Sequence, residues 1–271
     1  MRHYRRGPGQ DAASSSGIDY VQSVYGYDDG HIYILTGPKF NALALPSGLQ
    51  TYSVCRLFTS DGTQFAETTT AVSLNSLPAD GSHKVGPMPS AKSVTTGAYY
   101  VELSLVVRQD SGHNITADRA VYWLSANGGD VLDWDASNFY TTPVSKFADF
   151  STLSKHVCNL SQLQWTVSRT EQSNDSQLVV EVLAPSMVES TCVFFGLHFD
   201  AELPSRSEHK GRYGSEILFH DNIITLFPGQ STRLLADLII ADTPTAFANS
   251  TVTVCVSAFT EASSTCKSTE L

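Results

Sequence analysis

Three aspartates, Asp130, Asp133 and Asp135, crowd around Trp134. Carboxylates at near-alternate positions offer two kinds of chemistry. As a trio they present the hard oxygen ligands that Ca²⁺ takes. As a pair held roughly 5 to 10 Å apart they would act as acid and base in glycoside hydrolysis. The stretch lacks the glycine and glutamate placement of an EF-hand, and nothing in the sequence encloses a second carboxylate in a dry pocket. The three are therefore read as turn caps on a solvated segment. The aromatic residues beside them suggest a different use. Trp134, Phe139 and Tyr140 form a candidate platform for sugar rings, with packing between domains as the competing reading.

Other catalytic signatures are absent from the sequence. It has no Gly-x-Ser-x-Gly elbow, no phosphate-cradling glycine loop and no His-Glu-x-x-His helix. No Cys-x-x-Cys pair occurs, so zinc is not expected. The eight histidines are scattered; His209 and His220 lack carboxylate or sulfur partners at ligand spacing and are read as structural. No catalytic residue, metal ligand or cofactor site is assigned.

The elements that must position the aromatic segment are strands. Runs such as His31 to Leu35, Thr51 to Phe58, Gln64 to Leu74, Ala98 to Val107 and Ile115 to Leu124 are separated by Asp-Gly and Ser-Gly turns, where glycine accepts positive φ without steric cost. The second half repeats the theme in Leu163 to Arg169, Ser176 to Pro185, Cys192 to Leu203, Ser231 to Ile240 and Ser250 to Phe259. Phe227-Pro228-Gly229 marks a turn, Asp221-Asn222 a bulge or corner, and Ala148 to His156 one short turn of helix. No βαβ alternation appears, so the chain is all-β: two antiparallel β-sandwiches in tandem. Residues 1–17 are expected to be a disordered tail, 18–126 the first sandwich, and 127–271 the second, opening with the aromatic and acidic segment. Within residues 120–153, Trp123, Trp134, Phe139, Tyr140, Phe147 and Phe150 are expected to be buried where the two sandwiches meet, because exposed rings in a linker gain nothing.

Totals narrow the function further. A net charge of −10 gives polyanion binding no electrostatic support, which excludes nucleic acid as a partner. No apolar run approaches the ~20 residues of a membrane span. Charged residues make up 16% of the chain, below the ~25% usual for soluble domains. Sequons at Asn114, Asn159, Asn174 and Asn249 fall at turns or strand ends, as glycan acceptors should. Cys158, Cys192, Cys255 and Cys266 allow three disulfide pairings, and Cys55 is read as a small buried hydrophobe. Both features point to secretion, yet the first residues carry no apolar h-region. The chain is thus expected to be the C-terminal part of a longer secreted protein, its export signal upstream or missing from the gene model.

The ordered motifs carry a resemblance. Tyr122-Trp123-Leu124-Ser125, Val131-Leu132-Asp133-Trp134, Phe139-Tyr140-Thr141-Thr142-Pro143 and Phe147-Ala148-Asp149 resemble the C-terminal region of exo-β-D-glucosaminidases, the chitosan-degrading branch of glycoside hydrolase family 2. Tyr25-Gly26-Tyr27-Asp28-Asp29 is similar to the first strand and turn after that family's catalytic barrel, and Asp221-Asn222 followed by Leu226-Phe227-Pro228-Gly229-Gln230-Ser231 resembles a segment of its last sandwich, all in the family's order. The resemblance implies two tandem immunoglobulin-like sandwiches, without the catalytic barrel that bears the family's acid/base and nucleophile. The implied role is a non-catalytic accessory region that packs against and supports the barrel of a secreted hydrolase acting on chitosan oligosaccharides. Whether such a chain counts as an enzyme is left open. The alternative is a free-standing carbohydrate-binding or adhesive β-sandwich protein that uses Trp134, Phe139 and Tyr140 on chitosan or chitin.

Overall fold

The computed structural model describes residues 21–26, 29–38, 40–41, 49–108, 114–169, 177–186, 191–202, 216–239, 251–259 and 264–270. The expected tail at 1–17, Tyr27, Asp28, His209 and the sequons at Asn174 and Asn249 lie outside them. Among the described residues the only helix is three 3-10 turns, Leu74–Ser76, Leu153–His156 and Leu160–Gln162. No helix there is long and apolar enough to cross a membrane. The chain is all-β, as expected, and divides into two compact units between Val157 and Cys158. Each is an immunoglobulin-like antiparallel sandwich. The division falls some 30 residues after the expected boundary at 126/127, so residues 127–157 keep their contacts with the first unit.

The first unit contains β1 (Val21–Gly26), β2 (His31–Thr36), β3 (Gln50–Thr59), β4 (Gln64–Val72), β5 (Ser82–Pro87), β6 (Ala98–Arg108) and β7 (Asn114–Ser125). One sheet runs β1-β2-β5 and the other β4-β3-β6-β7. Ile32, Leu57, Val101 and Leu103 fill one part of the core, and Ile34, Val72, Leu105 and Val107 another. Alternation along β6 predicts one covered face, but the first eight residues of this strand are all buried. On the outer side Glu102 is covered by its neighbours: it accepts from Arg119 Nε at 2.6 Å and Arg56 Nη1 at 3.3 Å. Arg56 Nε also reaches Glu67 at 2.9 Å, so the charges run across β4, β3, β6 and β7. Buried Asp118 on β7 accepts from Ser23 N of β1 at 2.6 Å, joining the two sheets. Cys55 is buried as expected; burial, then the charge of Glu102, push its thiol up to about 12, which leaves it inert.

The second unit contains β10 (Gln164–Arg169), β11 (Gln177–Leu183), β12 (Phe194–Glu202), β13 (Glu216–Phe219), β14 (Ile224–Leu226), β15 (Ser231–Ile239), β16 (Thr251–Ser257) and β17 (Ser264–Glu270). Its sheets are β10-β11-β15-β13 and β14-β12-β16-β17. Between them lie Trp165, Leu178, Val180, Leu197, Phe199 and Val254. Of the three open pairings the fold selects Cys158–Cys192, 34 residues apart, and Cys255–Cys266, directly opposite on β16 and β17. Lys267 on β17 donates to the Trp165 carbonyl on β10 and sits 4.9 Å over that ring, which fastens the edges of the two sheets. The expected corner at Asp221-Asn222 is built by one side chain: Asn222 Oδ1 accepts from Phe199 N at 2.7 Å and Nδ2 donates to Phe199 O at 2.8 Å. That clamp continues the pairing past Leu197 and Ile224, where the β12–β14 ladder ends, and the adjoining Ile223 sits at φ 71°.

Removing Glu102 takes away the buried acceptor that Arg56 and Arg119 share. Glu102→Ala is expected to lose about 3 kcal/mol in chemical denaturation, against less than about 1 kcal/mol for Glu67→Ala at the exposed end of the same row; equal losses would refute a buried-charge role. Converting Cys158 and Cys192 together to serine should cost about 3–4 kcal/mol by the chain-entropy relation, read as a lower midpoint in the same experiment.

Candidate functional site

After β7 the chain runs into a small hairpin, β8 (Val131–Leu132) paired with β9 (Val144–Lys146). Polar bonds fix its base to the first sandwich. Asp149 N donates to Ser125 Oγ at 3.1 Å, Ala98 N to Thr152 Oγ1 at 2.8 Å, and Lys146 Nζ to the Asn127 carbonyl at 2.7 Å. Gly97, at φ 73°, leaves the space that Thr152 needs; a Cβ there would meet Thr152 Oγ1 at 2.7 Å.

The loop 133–143 consists of two consecutive turns held by its own side chains. Asp133 N donates to Pro143 O at 2.8 Å, and Asp133 Oδ1 accepts from Ala136 N at 3.0 Å. Ser137 Oγ and Thr142 Oγ1 lie 2.8 Å apart across the loop. Asn138 Oδ1 accepts from both Tyr140 N (2.9 Å) and Thr141 N (3.0 Å), while Asn138 N donates to Thr141 O at 2.9 Å. Asx turns of this kind form within a few residues, so the sequence folds locally here without help from a core.

This self-sufficiency overturns the expected burial. Phe139 is 95% exposed, Tyr140 89%, Phe147 72% and Trp134 71%, with Trp123 and Phe150 exposed at 43% and 40%. The backbone is secured by aspartate, asparagine and hydroxyl groups, so the rings are not needed to pin it and stand in solvent. Phe139 and Tyr140 pack edge to face, centroids 5.3 Å apart and planes at 85°. Leaving such area in water forgoes about 25 cal/mol per Å². Exposed rings on this scale make the hairpin a candidate interaction surface.

The carboxylates do structural work. Asp130 Oδ1 accepts from Ala148 N at 2.7 Å and Asp133 caps its own turn, as read from the sequence. Among the described residues no group of three or more His, Cys, Asp or Glu side chains is placed to hold a metal ion. His220 does have a carboxylate partner, Asp237 at 2.8 Å, which also accepts from Gln177 at 2.7 Å; the pairing crosses strands and was invisible as local spacing. A second polar cluster that sequence reasoning missed centres on Asp29, which accepts from Tyr33 Oη (2.6 Å) and Lys84 Nζ (2.9 Å). Those bonds hold its carboxyl well below the usual range and raise Tyr33 and Lys84. It braces the β1–β2 turn on an exposed surface. Of the described sequons, Asn114 opens β7 and is exposed, and exposed Asn159 accepts from Ser161 N at 2.8 Å ahead of a 3-10 turn.

No protein-family model matches the chain. It is 28% identical over 221 residues to an exo-β-D-glucosaminidase of Streptomyces avermitilis and 30% identical over 225 residues to that of Amycolatopsis orientalis; both alignments take in 80% of this chain. The chain spans only 22% and 19% of those proteins. In structure it is similar to the exo-chitosanase of Amycolatopsis orientalis, with a TM-score of 0.64, 20% identity, 93% of this chain covered and 26% of that one. The resemblance to exo-β-D-glucosaminidases read from the motifs therefore holds across most of the chain, which is related to a region of these glycoside hydrolases.

If Asn138 organises the loop, Asn138→Ala should speed hydrogen exchange at the Tyr140 and Thr141 amides at least about tenfold and leave the melting temperature within about 1 °C. Unchanged exchange would show that the loop is held by something else.

Proposed function

We propose that this chain is a non-catalytic accessory region of a secreted exo-β-D-glucosaminidase-type glycoside hydrolase that acts on chitosan oligosaccharides. Its sandwiches pack against and support the catalytic barrel of the parent hydrolase, which is in cis in a longer chain or missing. The observation carrying this reading is the disparity in coverage: four fifths of this chain aligns with about one fifth of each relative, and the described part is built wholly of strands and short 3-10 turns. Of the three aspartates weighed as acid and base, Asp130 and Asp133 are committed to backbone amides. The half-exposed apolar chains at the hairpin base, Trp123, Val131, Leu132 and Phe150, supply a surface for another folded unit. Secretion is supported by two disulfides and by sequons whose described members, Asn114 and Asn159, are exposed.

The purified chain, incubated with chitosan oligomers, is expected to release no glucosamine; sustained release that survives repurification would overturn the non-catalytic reading. Expression through a eukaryotic secretory pathway should give a protein whose mass falls on treatment with an N-glycosidase. A mass matching the bare chain would count against secretion.

A further inference from the structure

We propose that the tip of the β8–β9 hairpin is a binding seat for cationic amino-sugar oligomers, with Trp134, Phe139 and Tyr140 stacking on sugar rings and Asp135 meeting an ammonium group. The inference rests on the preceding reading only for its choice of sugar.

Large apolar chains are exposed along the whole hairpin: Val131, Leu132 and Phe150 at the base are 40–49% exposed and Phe147 beside them 72%, whereas Trp134, Phe139 and Tyr140 at the tip are 71–95% exposed. The base is apolar and mixed, aliphatic with aromatic, which suits a protein face. Residues 133–143 contain no leucine, isoleucine, valine or methionine. Their large apolar groups are all aromatic, set among aspartate, asparagine, serine and threonine. That composition fits a ligand with flat C–H faces and many hydroxyls better than the aliphatic core of a protein interface.

The seat exists before any ligand arrives. Asp133, Ser137, Asn138 and Thr142 hold both turns, so binding orders little backbone. The edge-to-face contact of Phe139 with Tyr140 leaves at least one open face on each ring. A β-linked glucosamine unit presents its axial C–H groups as an apolar face of matching size.

Charge selects among sugars. No lysine or arginine occurs in residues 120–145, while Asp130, Asp133 and Asp135 do. Asp130 and Asp133 each give an oxygen to a backbone amide; Asp135 is exposed and accepts no hydrogen bond among the described residues. An anionic rim beside open π-faces attracts an ammonium both by Coulomb and by cation–π interaction. A neutral N-acetylated oligomer would keep only the stacking.

The test is calorimetric titration of the full chain with glucosamine hexamer and, separately, N-acetylglucosamine hexamer. Saturable binding of the glucosamine hexamer, with a dissociation constant of about 1 mM or tighter, is expected, and the acetylated hexamer should bind at least about threefold more weakly. Trp134→Ala and the pair Phe139→Ala with Tyr140→Ala should each weaken binding about tenfold or more. Asp135→Asn should weaken the glucosamine hexamer alone. These side chains lie in solvent, so unchanged melting temperatures will show that the variants fold. No saturable binding up to about 10 mM, or binding indifferent to the ring variants, overturns the seat and leaves the accessory reading standing. Release of glucosamine overturns the accessory reading and leaves the seat. Equal affinity for both hexamers refutes the role of Asp135.

Discussion

Backbone N–H groups that leave a β-ladder need another acceptor, and burying or ordering them without one is costly. In this chain aspartate and asparagine side chains supply that acceptor at irregularity after irregularity. Asp29 takes the His31 amide, Asp61 that of Thr63, Asp133 that of Ala136, Asn159 that of Ser161 and Asn222 that of Phe199. Asp118 does the same over 95 residues, from β7 to Ser23 on β1. The acidic balance of the chain is in part a by-product of this device.

The two sandwiches are reinforced differently on top of a shared architecture. In the first, β6 is covered on both faces, and Arg56 and Arg119 close around the buried Glu102 carboxylate. In the second, two disulfides add covalent ties: Cys158–Cys192 anchors the start of the unit to the approach to β12, and Cys255–Cys266 fastens the mostly exposed strand β17. Lys267 adds a contact between sheets through Trp165.

The hairpin after β7 stands apart because its stability is independent of its rings. Short-range bonds secure the loop, and bonds to Ser125, Ala98 and Asn127 secure the base. Its aromatic side chains are thereby free to face outward as contact groups.

Local signals told most of the fold. Alternating runs bounded by Asp-Gly turns marked β2, β3, β4, β6 and β7, and longer apolar runs marked β11, β12, β15 and β16. Turn chemistry acts within two to four residues, so Asp61-Gly62, Phe227-Pro228-Gly229 and the Asp221-Asn222 corner were legible directly. Strands β5, β8, β9, β13, β14 and β17 were not: they are short or polar, and β17, Ser264–Glu270, is defined by its pairing with β16. The order of the aromatic and turn motifs was enough to identify the exo-β-D-glucosaminidase resemblance. Tertiary structure alone decided which cysteines pair, that Lys84 reaches Asp29 across 55 residues, that Asp237 meets His220, and that Trp134, Phe139 and Tyr140 stand in water. Residue type sets what burying a ring would gain, but a backbone already satisfied by Asp133 and Asn138 has no need to bury it, and which distant groups meet depends on strand register that no short stretch of sequence encodes.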